Sequence, residues 1–387
     1  MPINLTVLGL VCATLGVSFL VAVITTPIVK ALAQKVGAVD DPKKDADPGR
    51  RMHDHAIPRM GGLAIFLGFL VSVLIFLKLD PQIRGLLLGA VIIVILGIFD
   101  DIYNLPAIFK FAVQIGAALV AVFSGFRIDV LSNPNVFSSN PYWELGWLSI
   151  PVSVLWIVAI TNAVNLIDGL DGLACGVSTI SSMTLLVIAL IMNEAQTPIL
   201  VAALVGGCLG FLPYNLNPAK IFMGDTGSTF LGFVLGAISI QGLFKHYIII
   251  SFVVPFLMLG LPIFDTCFAF IRRIAHGQSP MHADRSHVHH RLIDMGFSQK
   301  QAVAILYIVS AILGLSAVVL TTSGPLRAML LLLALCAAGA VAIRLYLHSN
   351  GKKPPEEPAP SHPEYDIPLD DEDLPEVSSR SQEEDTL

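Results

Sequence analysis

The chain carries little charge for its length. Only 13% of its 387 residues are Asp, Glu, Lys or Arg, while 55% are hydrophobic and the mean hydropathy is +0.75. Soluble globular domains carry about 25% charged residues. The composition therefore excludes an ordinary soluble domain and predicts a membrane protein, with little chain left for a separate water-soluble domain.

Paired cysteines and a basic leader are also missing. The five cysteines lie in or beside apolar stretches, without the spacing of a disulfide framework or a zinc site, so they are interpreted as packing residues. No basic residue precedes Lys30, and the first apolar run is therefore expected to be a retained helix rather than a cleaved signal peptide. The sequence shows no internal repeat.

Apolar windows alternate with polar segments along most of the chain. The windows are 5–29, 60–79, 85–99, 109–126, 148–164, 174–192, 199–212, 228–243, 247–271, 302–320 and 326–344. A bilayer-spanning helix needs about 20 apolar residues, and two of these windows are short, so the expected count is eleven or ten. No alternating strand pattern recurs, and we predict an all-α, polytopic integral membrane protein.

Basic residues favour one orientation of these spans. With the N-terminus outside, the inner loops contain 14 Lys or Arg and the outer loops five, with four more from Arg344 onward. Inner loops of membrane proteins carry the excess of basic residues. We therefore predict an outside N-terminus and, for eleven spans, a cytoplasmic C-terminus.

The end of the chain differs in composition from the rest. From Leu345 onward there are twelve acidic and three basic residues, a net charge of −9, and seven prolines lie between Pro354 and Pro375. The preceding residues have a net charge of +3. We predict a transmembrane domain over 1–346 and a disordered, acidic, Pro-rich tail over 347–387.

The predicted orientation places most polar motifs on the cytoplasmic face. These motifs are Asp40-Asp41, 50–62, Asp100-Asp101, 162–171, 215–227 and 284–291. The outer side has mainly short connectors and one longer loop near 127–146. This asymmetry predicts an active site at the cytoplasmic face, formed by segments that are far apart in sequence.

Two adjacent carboxylates, Asp100 and Asp101, end the third span. Each faces a like charge and the unfavourable end of the helix dipole, so the pair favours a bound cation or a raised pKa. A solvated helix end is the alternative interpretation. Lys110, at the start of the next span, is suited to hold a phosphate nearby.

The most informative run covers residues 162–172. Asn162, Asn165 and Asp168 are three apart and share a helix face, and glycines beside Asp171 allow tight turns. Four polar side chains between two apolar spans are costly unless they bind a ligand. The run therefore predicts a ligand site, with mutual helix capping as the alternative.

A third motif, 222–228, introduces the eighth span. Asp225 lies there with Thr and Ser hydroxyls and glycines at a predicted helix N-terminus. This combination suits a hard cation that bridges phosphate oxygens. A simple N-cap is the alternative interpretation of Asp225.

The segment 284–291 is basic and rich in imidazole. Its histidines are His287, His289 and His290. Zinc is a rival ligand, but no cysteine or fourth histidine has suitable spacing and flanking arginines oppose a dication. Phosphate recognition by Arg and His donors fits better. Asp265, two helical turns before Arg272 and Arg273, is expected to pair with one of them.

These motifs, in this order, resemble those of the polyprenyl-phosphate N-acetylhexosamine-1-phosphate transferases. The resemblance covers residues 1 to about 320 and rests on the Asp pair, the run from Asn165 to Gly172, the Gly-Asp-Thr-Gly-Ser motif and the histidine cluster. The order His-Val-His-His at 287–290 is similar to that of the UDP-GlcNAc-using branch, whereas the UDP-MurNAc-pentapeptide branch usually has three consecutive histidines. The eukaryotic dolichol-linked branch replaces carboxylates that are present here.

The resemblance implies a reaction. GlcNAc-1-phosphate passes from UDP-GlcNAc to undecaprenyl phosphate, giving undecaprenyl-pyrophosphoryl-GlcNAc and UMP, as the first membrane step of a cell-envelope polysaccharide in the bacterial inner membrane. The implied cofactor is Mg²⁺, with Mn²⁺ as a substitute. The implied partners are the two substrates and the bilayer, with no nucleic acid, and a homodimer is left open.

The resemblance also implies roles for individual residues. The implied catalytic residues are Asp100, Asp101, Asp168, Lys110 and His290. Asp225 would be the main Mg²⁺ ligand, with Asn165 or Asp168 completing the set. The implied substrate-binding residues are Asp171, Gly169, Phe222, Arg285, His287, His289 and Arg291. Of these, the first three would form a uridine pocket. Arg285, His287 and His289, together with His290, would close over the pyrophosphate and sugar.

Four other functions fit part of the pattern. A phospho-MurNAc-pentapeptide transferase is the alternative within the family. An ion-coupled transporter would need carboxylates at the bilayer midplane and inverted repeats. An intramembrane aspartyl protease would need a glycine two residues before Gly224-Asp225, and a CDP-alcohol phosphotransferase would need an arginine where Cys175 stands. Apart from the family alternative, none of these explains the histidine cluster.

Overall fold

The structure is a computed structural model that describes residues 5–41, 56–132, 142–243, 253–275 and 287–323, with a few more between 326 and 339. Most of the described residues are helical. The helices are α1 Leu5–Val36, α2 Gly62–Phe76, α3 Pro81–Tyr103, α4 Ala107–Phe123, α5 Ser149–Leu166, α6 Leu173–Ile191, α7 Thr197–Asn215, α8 Gly224–Leu243, α9 Val253–Met258, α10 Gly260–Ala275, α11 Val288–Asp294 and α12 Gln299–Ser323.

Two short antiparallel strand pairs depart from the all-α expectation. β1 (Val39–Asp40) pairs with β2 (Ile57–Pro58), and β3 (Val130–Ser132) pairs with β4 (Tyr142–Glu144). Each strand has only two or three residues and lies in a connection between helices, so the strands were too short to give a period-two pattern.

The multi-pass membrane character is confirmed. The helices α1, α3, α5, α6, α7 and α12 are long and apolar enough to cross a membrane, and α2 and α4 are shorter apolar helices. The count of ten or eleven spans stays a prediction. About half of the predicted last window lies outside the described residues, and the predicted boundary at 346 and the acidic tail lie wholly outside them.

The predicted ninth span, 247–271, is not one continuous helix. Its described part consists of α9, which ends at Met258, and α10, which begins at Gly260. Pro262 has no N–H to donate and its ring clashes with the carbonyl four residues earlier, which is that of Met258. The helix is therefore interrupted at Leu259, although the Leu259 N–H still donates to the Pro255 carbonyl at 3.0 Å.

Helix α8 lies at the centre of the described helices. Residues 226–240 are all buried, and α8 packs mainly against α5 and α3 and also against α2. Close approach depends on small residues: a Cβ on Gly97 of α3 would lie 2.4 Å from the Cα of Thr226. Here the backbones of α3 and α8 are in contact.

Small polar side chains also join the helices. Ser181 on α6 donates to the Met258 carbonyl at 2.8 Å, and the Trp156 indole on α5 donates to Ser239 on α8 at 3.0 Å. Interhelical hydrogen bonds in membrane proteins contribute about 0.6 kcal/mol each on average. They fix the register of the helices.

The helix ends define where a polar site can form. Helix α3 begins with Asp80, whose side chain accepts the Ile83 N–H at 2.8 Å, followed by Pro81 at the first helical position. It ends at Tyr103, where the Asp pair lies. The helices α5 and α7 end, and α6, α8 and α12 begin, at this same end of the bundle, which carries the predicted motifs.

Candidate active site

The carboxylate of Asp101 caps the first turn of α8. Its Oδ1 accepts the Asp225 N–H at 2.9 Å, and its Oδ2 accepts the Thr226 N–H at 3.1 Å and the Thr226 hydroxyl at 2.6 Å. Gly224 has a φ of +70°, and a Cβ there would lie 2.5 Å from Asp101 Oδ2. Because helix N-termini favour negative charge, Asp101 stabilises the start of α8 and fixes the position of Asp225.

The neighbouring Asp100 makes a different set of contacts. Its Oδ1 accepts the Leu105 N–H at 2.7 Å, and its Oδ2 lies 2.9 Å from Lys110 Nζ. Lys110 Nζ also lies 3.2 Å from Asp225 Oδ2. One ammonium group therefore joins the end of α3, the start of α4 and the start of α8.

A cavity of about 460 Å³ opens beside this ion-pair cluster, and we call it the polar cavity. Its volume is typical of small-molecule sites. The predicted site residues that line it are Lys110, Asn165, Asp168, Gly169, Asp171, Phe222, Asp225 and His290. The structure thus brings together segments that are far apart in sequence.

A second cavity of about 180 Å³ lies between α3, α4, α5 and α8, and we call it the narrow cavity. Its lining is mixed: Leu96, Ala107 and Phe111 are apolar, and Asp100, Gln114, Asn162 and Thr229 are polar. The residues that line both cavities are Lys110, Asn165 and Asp225. These three side chains form a wall that the two cavities share.

Asp168 presents a carboxylate to the polar cavity without a protein ligand. Within the described part of the chain, no hydrogen bond or ion pair reaches its side chain. Burial and the negative charges of Asp225 and Asp101 raise the pKa of Asp168 to about 8. Such a carboxylate is suited to bind a cation, which would favour its ionised form.

The charges around this wall do not balance. Four carboxylates, those of Asp100, Asp101, Asp168 and Asp225, face the cations Lys110 and Arg59. Asp40 and Asp171 also line the polar cavity, so carboxylates outnumber these cations. The oxygen donors present, including the Asn165 amide, are those that Mg²⁺ prefers. The residues therefore fit a bound divalent cation.

The three polar residues predicted to share a helix face are divided between the cavities. Asn162 lines the narrow cavity and donates to Gln114 Oε1 at 2.7 Å, while Asp168 lines the polar cavity. Asn165 lines both, and its Oδ1 accepts the Ser228 hydroxyl at 2.5 Å. Because α5 ends at Leu166, Asp168 follows a turn rather than the helical repeat.

Asp171 holds a neighbouring loop. Its Oδ2 accepts the Asn217 side-chain amide at 2.9 Å and the Ala219 N–H at 3.0 Å. Asn217 also donates to Gln299 Oε1 at 2.7 Å, at the start of α12. Asp171 is predicted to bind uridine. One of its carboxylate oxygens therefore already supports the loop on the Phe222 side of the polar cavity.

The described histidines are not equivalent. His290 lines the polar cavity. His289 is buried and its ring lies over Gly169, where a Cβ would be 2.3 Å from Nε2. Burial and the neighbouring His290 lower the pKa of His289 to about 4, so its imidazole is neutral at pH 7. His287 is buried and pairs with Asp265 at 2.9 Å.

The expectations for Asp265, Arg291 and Arg285 have different outcomes. The pairing of Asp265 with an arginine is wrong: its carboxylate accepts from His287 and from the Val288 N–H, because a residue seven positions along a helix lies about 10 Å away. Arg291 is exposed and lies over the Phe268 ring at 5.0 Å, not among the cavity residues. Arg285 lies outside the described residues.

Arg59 is a cavity residue that the sequence motifs did not single out. Its Nε lies 3.4 Å from Asp101 Oδ1. Burial alone would lower its pKa, but the carboxylates of Asp101 and Asp225 outweigh that effect and raise the pKa of Arg59. Its place in the Pro58–Gly62 segment, on the same predicted face as the other motifs, was the available signal. That segment is held by backbone bonds of 2.8 and 2.9 Å to Phe222.

Fold and site together define a class. The protein is a polytopic membrane protein whose helix ends enclose a charged cavity, and a second, partly apolar cavity shares one wall with it. The model of glycosyl transferase family 4 matches residues 83–243, which contain the Asp pair, the 162–172 run and Asp225.

Three curated relatives extend the match. A probable undecaprenyl-phosphate N-acetylglucosaminyl 1-phosphate transferase of Bacillus subtilis is 46% identical over 79% of this chain and 84% of its own. A decaprenyl-phosphate N-acetylglucosaminephosphotransferase of Mycolicibacterium smegmatis is 34% identical over 72% and 74%. A phospho-N-acetylmuramoyl-pentapeptide-transferase of Caldicellulosiruptor bescii is 36% identical over 58% and 72%. The chain belongs to glycosyl transferase family 4, whose matched members are sugar-phosphate transferases of the polyprenyl-phosphate type.

Proposed function

We propose that the protein transfers GlcNAc-1-phosphate from UDP-GlcNAc to undecaprenyl phosphate. The products are undecaprenyl-pyrophosphoryl-GlcNAc and UMP. The N-acetylglucosaminyl relative at 46% identity supports this donor and acceptor more strongly than the pentapeptide-transferase relative, which matches a smaller share of the chain.

The observation that carries this proposal is the wall of Lys110, Asn165 and Asp225 between the two cavities. A sugar nucleotide is polar and fits the larger, charged cavity. A polyprenyl phosphate is apolar except at its phosphate, and the narrow cavity combines apolar Leu96, Ala107 and Phe111 with charged Lys110. Two substrates in these cavities would bring their phosphates together at Lys110, as the reaction requires.

The charged residues in and beside the wall have distinct roles in this proposal. Lys110 neutralises charge on both phosphates, and Arg59 and His290 bind the diphosphate of UDP-GlcNAc from the polar cavity. Asp101 acts through α8: it holds Asp225 in place and orients the Arg59 guanidinium. We therefore assign it a positioning role, whereas Asp100 keeps Lys110 at the narrow cavity.

Asp225, Asp168 and Asn165 are the residues that would hold Mg²⁺, with Mn²⁺ as a substitute. When bound, the cation supplies charge neutralisation for the diphosphate and makes UMP a better leaving group. Of the proposed ligands, Asp168 would be stabilised most by the cation in its ionised form, because no hydrogen bond or ion pair reaches its side chain among the described residues.

The acceptor phosphate attacks directly. One of its oxygens forms a bond to the β-phosphorus of UDP-GlcNAc, the bond from that phosphorus to the bridging oxygen breaks, and the electron pair leaves with UMP. Polyprenyl phosphate is largely ionised at neutral pH because its second pKa is about 6. Asp100 therefore has at most one proton to accept, and no phosphoenzyme is required.

The site lies at the cytoplasmic face of a bacterial inner membrane in this proposal. The excess of Lys and Arg in the loops on that side supports it. The orientation is tested with Lys220→Cys in a protein that has no other cysteine. Position 220 lies in the loop that precedes α8, and the reagent is a membrane-impermeant maleimide. Labelling in intact cells would contradict it, and labelling only in inverted vesicles is expected.

The function is tested by the release of UMP from purified protein. We expect UMP only when UDP-GlcNAc, polyprenyl phosphate and Mg²⁺ are all present. A panel of UDP-sugars that includes UDP-MurNAc-pentapeptide distinguishes the branches of the family. No UMP with any of these donors would contradict the transferase proposal, and a preference for the pentapeptide donor would reassign the substrate.

A further inference from the structure

Helix α11, which carries the histidines, is fastened to α10 at two points. Asp265 and Phe268 on α10 contact His287, Val288 and Arg291 at or in α11. The spacing is three residues on α10 and three to four on α11, so the contacts lie about one turn apart on each helix. We call this set the α10–α11 clasp.

The first contact is a buried carboxylate that receives two hydrogen bonds. Asp265 Oδ2 lies 2.9 Å from His287 Nδ1, and Asp265 Oδ1 accepts the Val288 N–H at 2.8 Å. Asp265 is only 3% exposed and His287 only 6%. A buried carboxylate is stable only with such partners. Loss of the Asp265–His287 hydrogen bond would leave a buried polar group unpaired on both residues, which is unfavourable.

The second contact is a cation over an aromatic face. The Arg291 guanidinium lies 5.0 Å from the centre of the Phe268 ring, and both residues are exposed. This contact is weaker, because a cation–π pair in contact with solvent contributes less than a desolvated one. It nevertheless gives the middle of α11 a second contact with α10.

The clasp decides where the two remaining histidines lie. Once His287 is held against α10, the next turn places His289 over Gly169 and His290 at the polar cavity. The His287 and His289 rings are stacked nearly parallel, with ring centres 5.8 Å apart. None of these residues lines the narrow cavity.

We propose that Asp265 is a positioning residue for the sugar nucleotide: it holds α11 so that His290 and His289 close one side of the polar cavity. It does not contact the substrate. The inference rests on the proposed function only in naming UDP-GlcNAc as the occupant of that cavity. Because the clasp touches one cavity and not the other, it should affect donor binding and leave acceptor binding unchanged.

The test compares Asp265→Asn with Asp80→Asn. Both replace a carboxylate by an amide, but Asp80 caps α3 at the opposite end of the bundle, where asparagine is also a good N-cap. For Asp265→Asn we expect the KM for UDP-GlcNAc to rise roughly tenfold, the loss typical of a hydrogen bond to a charged group. The KM for polyprenyl phosphate should stay within about twofold. Asp80→Asn should change neither.

A second measurement needs no catalysis. Diethyl pyrocarbonate modifies accessible imidazoles, and peptide mass spectrometry of the segment ending at Arg291 reports each histidine. In the wild type, the buried His287 and His289 should react more slowly than His290, and in Asp265→Asn their rates should rise severalfold relative to His290. This result would support the clasp even if the donor were a different molecule.

If Asp265→Asn does not fold, Phe268→Leu tests the same clasp from its second contact, with a smaller rise of about two- to fivefold in the donor KM. An active wild type whose Asp265→Asn variant keeps both KM values and the wild-type modification rates would overturn the inference alone. A lower kcat in Asp265→Asn, with both KM values unchanged, would also overturn the inference, because that result indicates only a smaller fraction of folded enzyme.

Discussion

Lys110 and Asp225 are in contact within the wall that the two cavities share, with Lys110 Nζ 3.2 Å from Asp225 Oδ2. The two residues are 115 positions apart in sequence. Their contact exists because Asp101 holds the first turn of α8 against the end of α3. Capping of a helix thus determines the geometry of the site.

Asp225→Asn should reduce the rate of UMP release by about 10²–10³-fold, the loss typical of removing one preorganised charge-stabilising group. The amide keeps the shape but lacks the charge that would bind a cation. UMP release at saturating substrates measures this effect, and Asp80→Asn provides the matched control. A rate within a factor of about two of the wild type would remove Asp225 from the proposed cation site.

Arg59→Gln should raise the KM for UDP-GlcNAc about tenfold without changing the KM for polyprenyl phosphate, because Arg59 lines only the polar cavity. Lys110→Met is the informative comparison, since Lys110 lines both cavities and its loss should weaken both substrates. Steady-state kinetics with each substrate varied in turn measures the difference. Equal effects of Arg59→Gln on both substrates would contradict the assignment of one cavity to each.

Gly97→Ala should destabilise the protein by about 1–3 kcal/mol, the usual cost of overpacking. The new Cβ would lie 2.4 Å from the backbone of Thr226 and would push α3 away from α8. Gly116→Ala on α4 is the matched control, since nothing lies within 4 Å of its Cβ position. Melting temperatures in detergent should fall for the first variant and stay equal or rise for the second. Similar melting of both would show that the helices are not in close contact there.

Removal of divalent cations should make stability depend on pH through Asp168. Its pKa is raised to about 8, so between about pH 4 and 8 the folded protein holds a proton that the unfolded chain has lost. Stability from this group therefore falls as pH rises through that window. With a chelator present, the melting temperature of wild type should fall more steeply with pH than that of Asp168→Asn. Added Mg²⁺ should raise it most near pH 8, and parallel curves for the two proteins would contradict this role.

Hydropathy was sufficient to predict many of the helices, because burial in lipid requires long apolar runs. The window 174–192 differs from α6, Leu173–Ile191, by one residue at each end. The interruption between α9 and α10 follows from Pro262, which a hydropathy window does not detect. The short helix α11 is too polar for such a window to detect.

The site was predictable as a set of motifs but not as a set of contacts. Adjacent carboxylates at 100 and 101 look equivalent in sequence, yet one caps α8 and the other pairs with Lys110. The carboxylate that caps α8 is the one on the side of α3 that faces α8. That side is set by the close contact of Gly97 with Thr226 and not by the Asp pair itself. For the same reason, the partner of Asp265 is a histidine from another segment, not an arginine on its own helix.

The most direct measurement follows the β-phosphorus of the donor. UDP-GlcNAc labelled at that phosphorus is incubated with the full-length protein in bilayers that contain polyprenyl phosphate and Mg²⁺. Transfer at the shared wall predicts one label in the lipid fraction for each unlabelled UMP released, and loss of both in Asp225→Asn. Label that stays in the aqueous phase while UMP is released would contradict the account, because the sugar phosphate would then have been given to water instead of to the lipid.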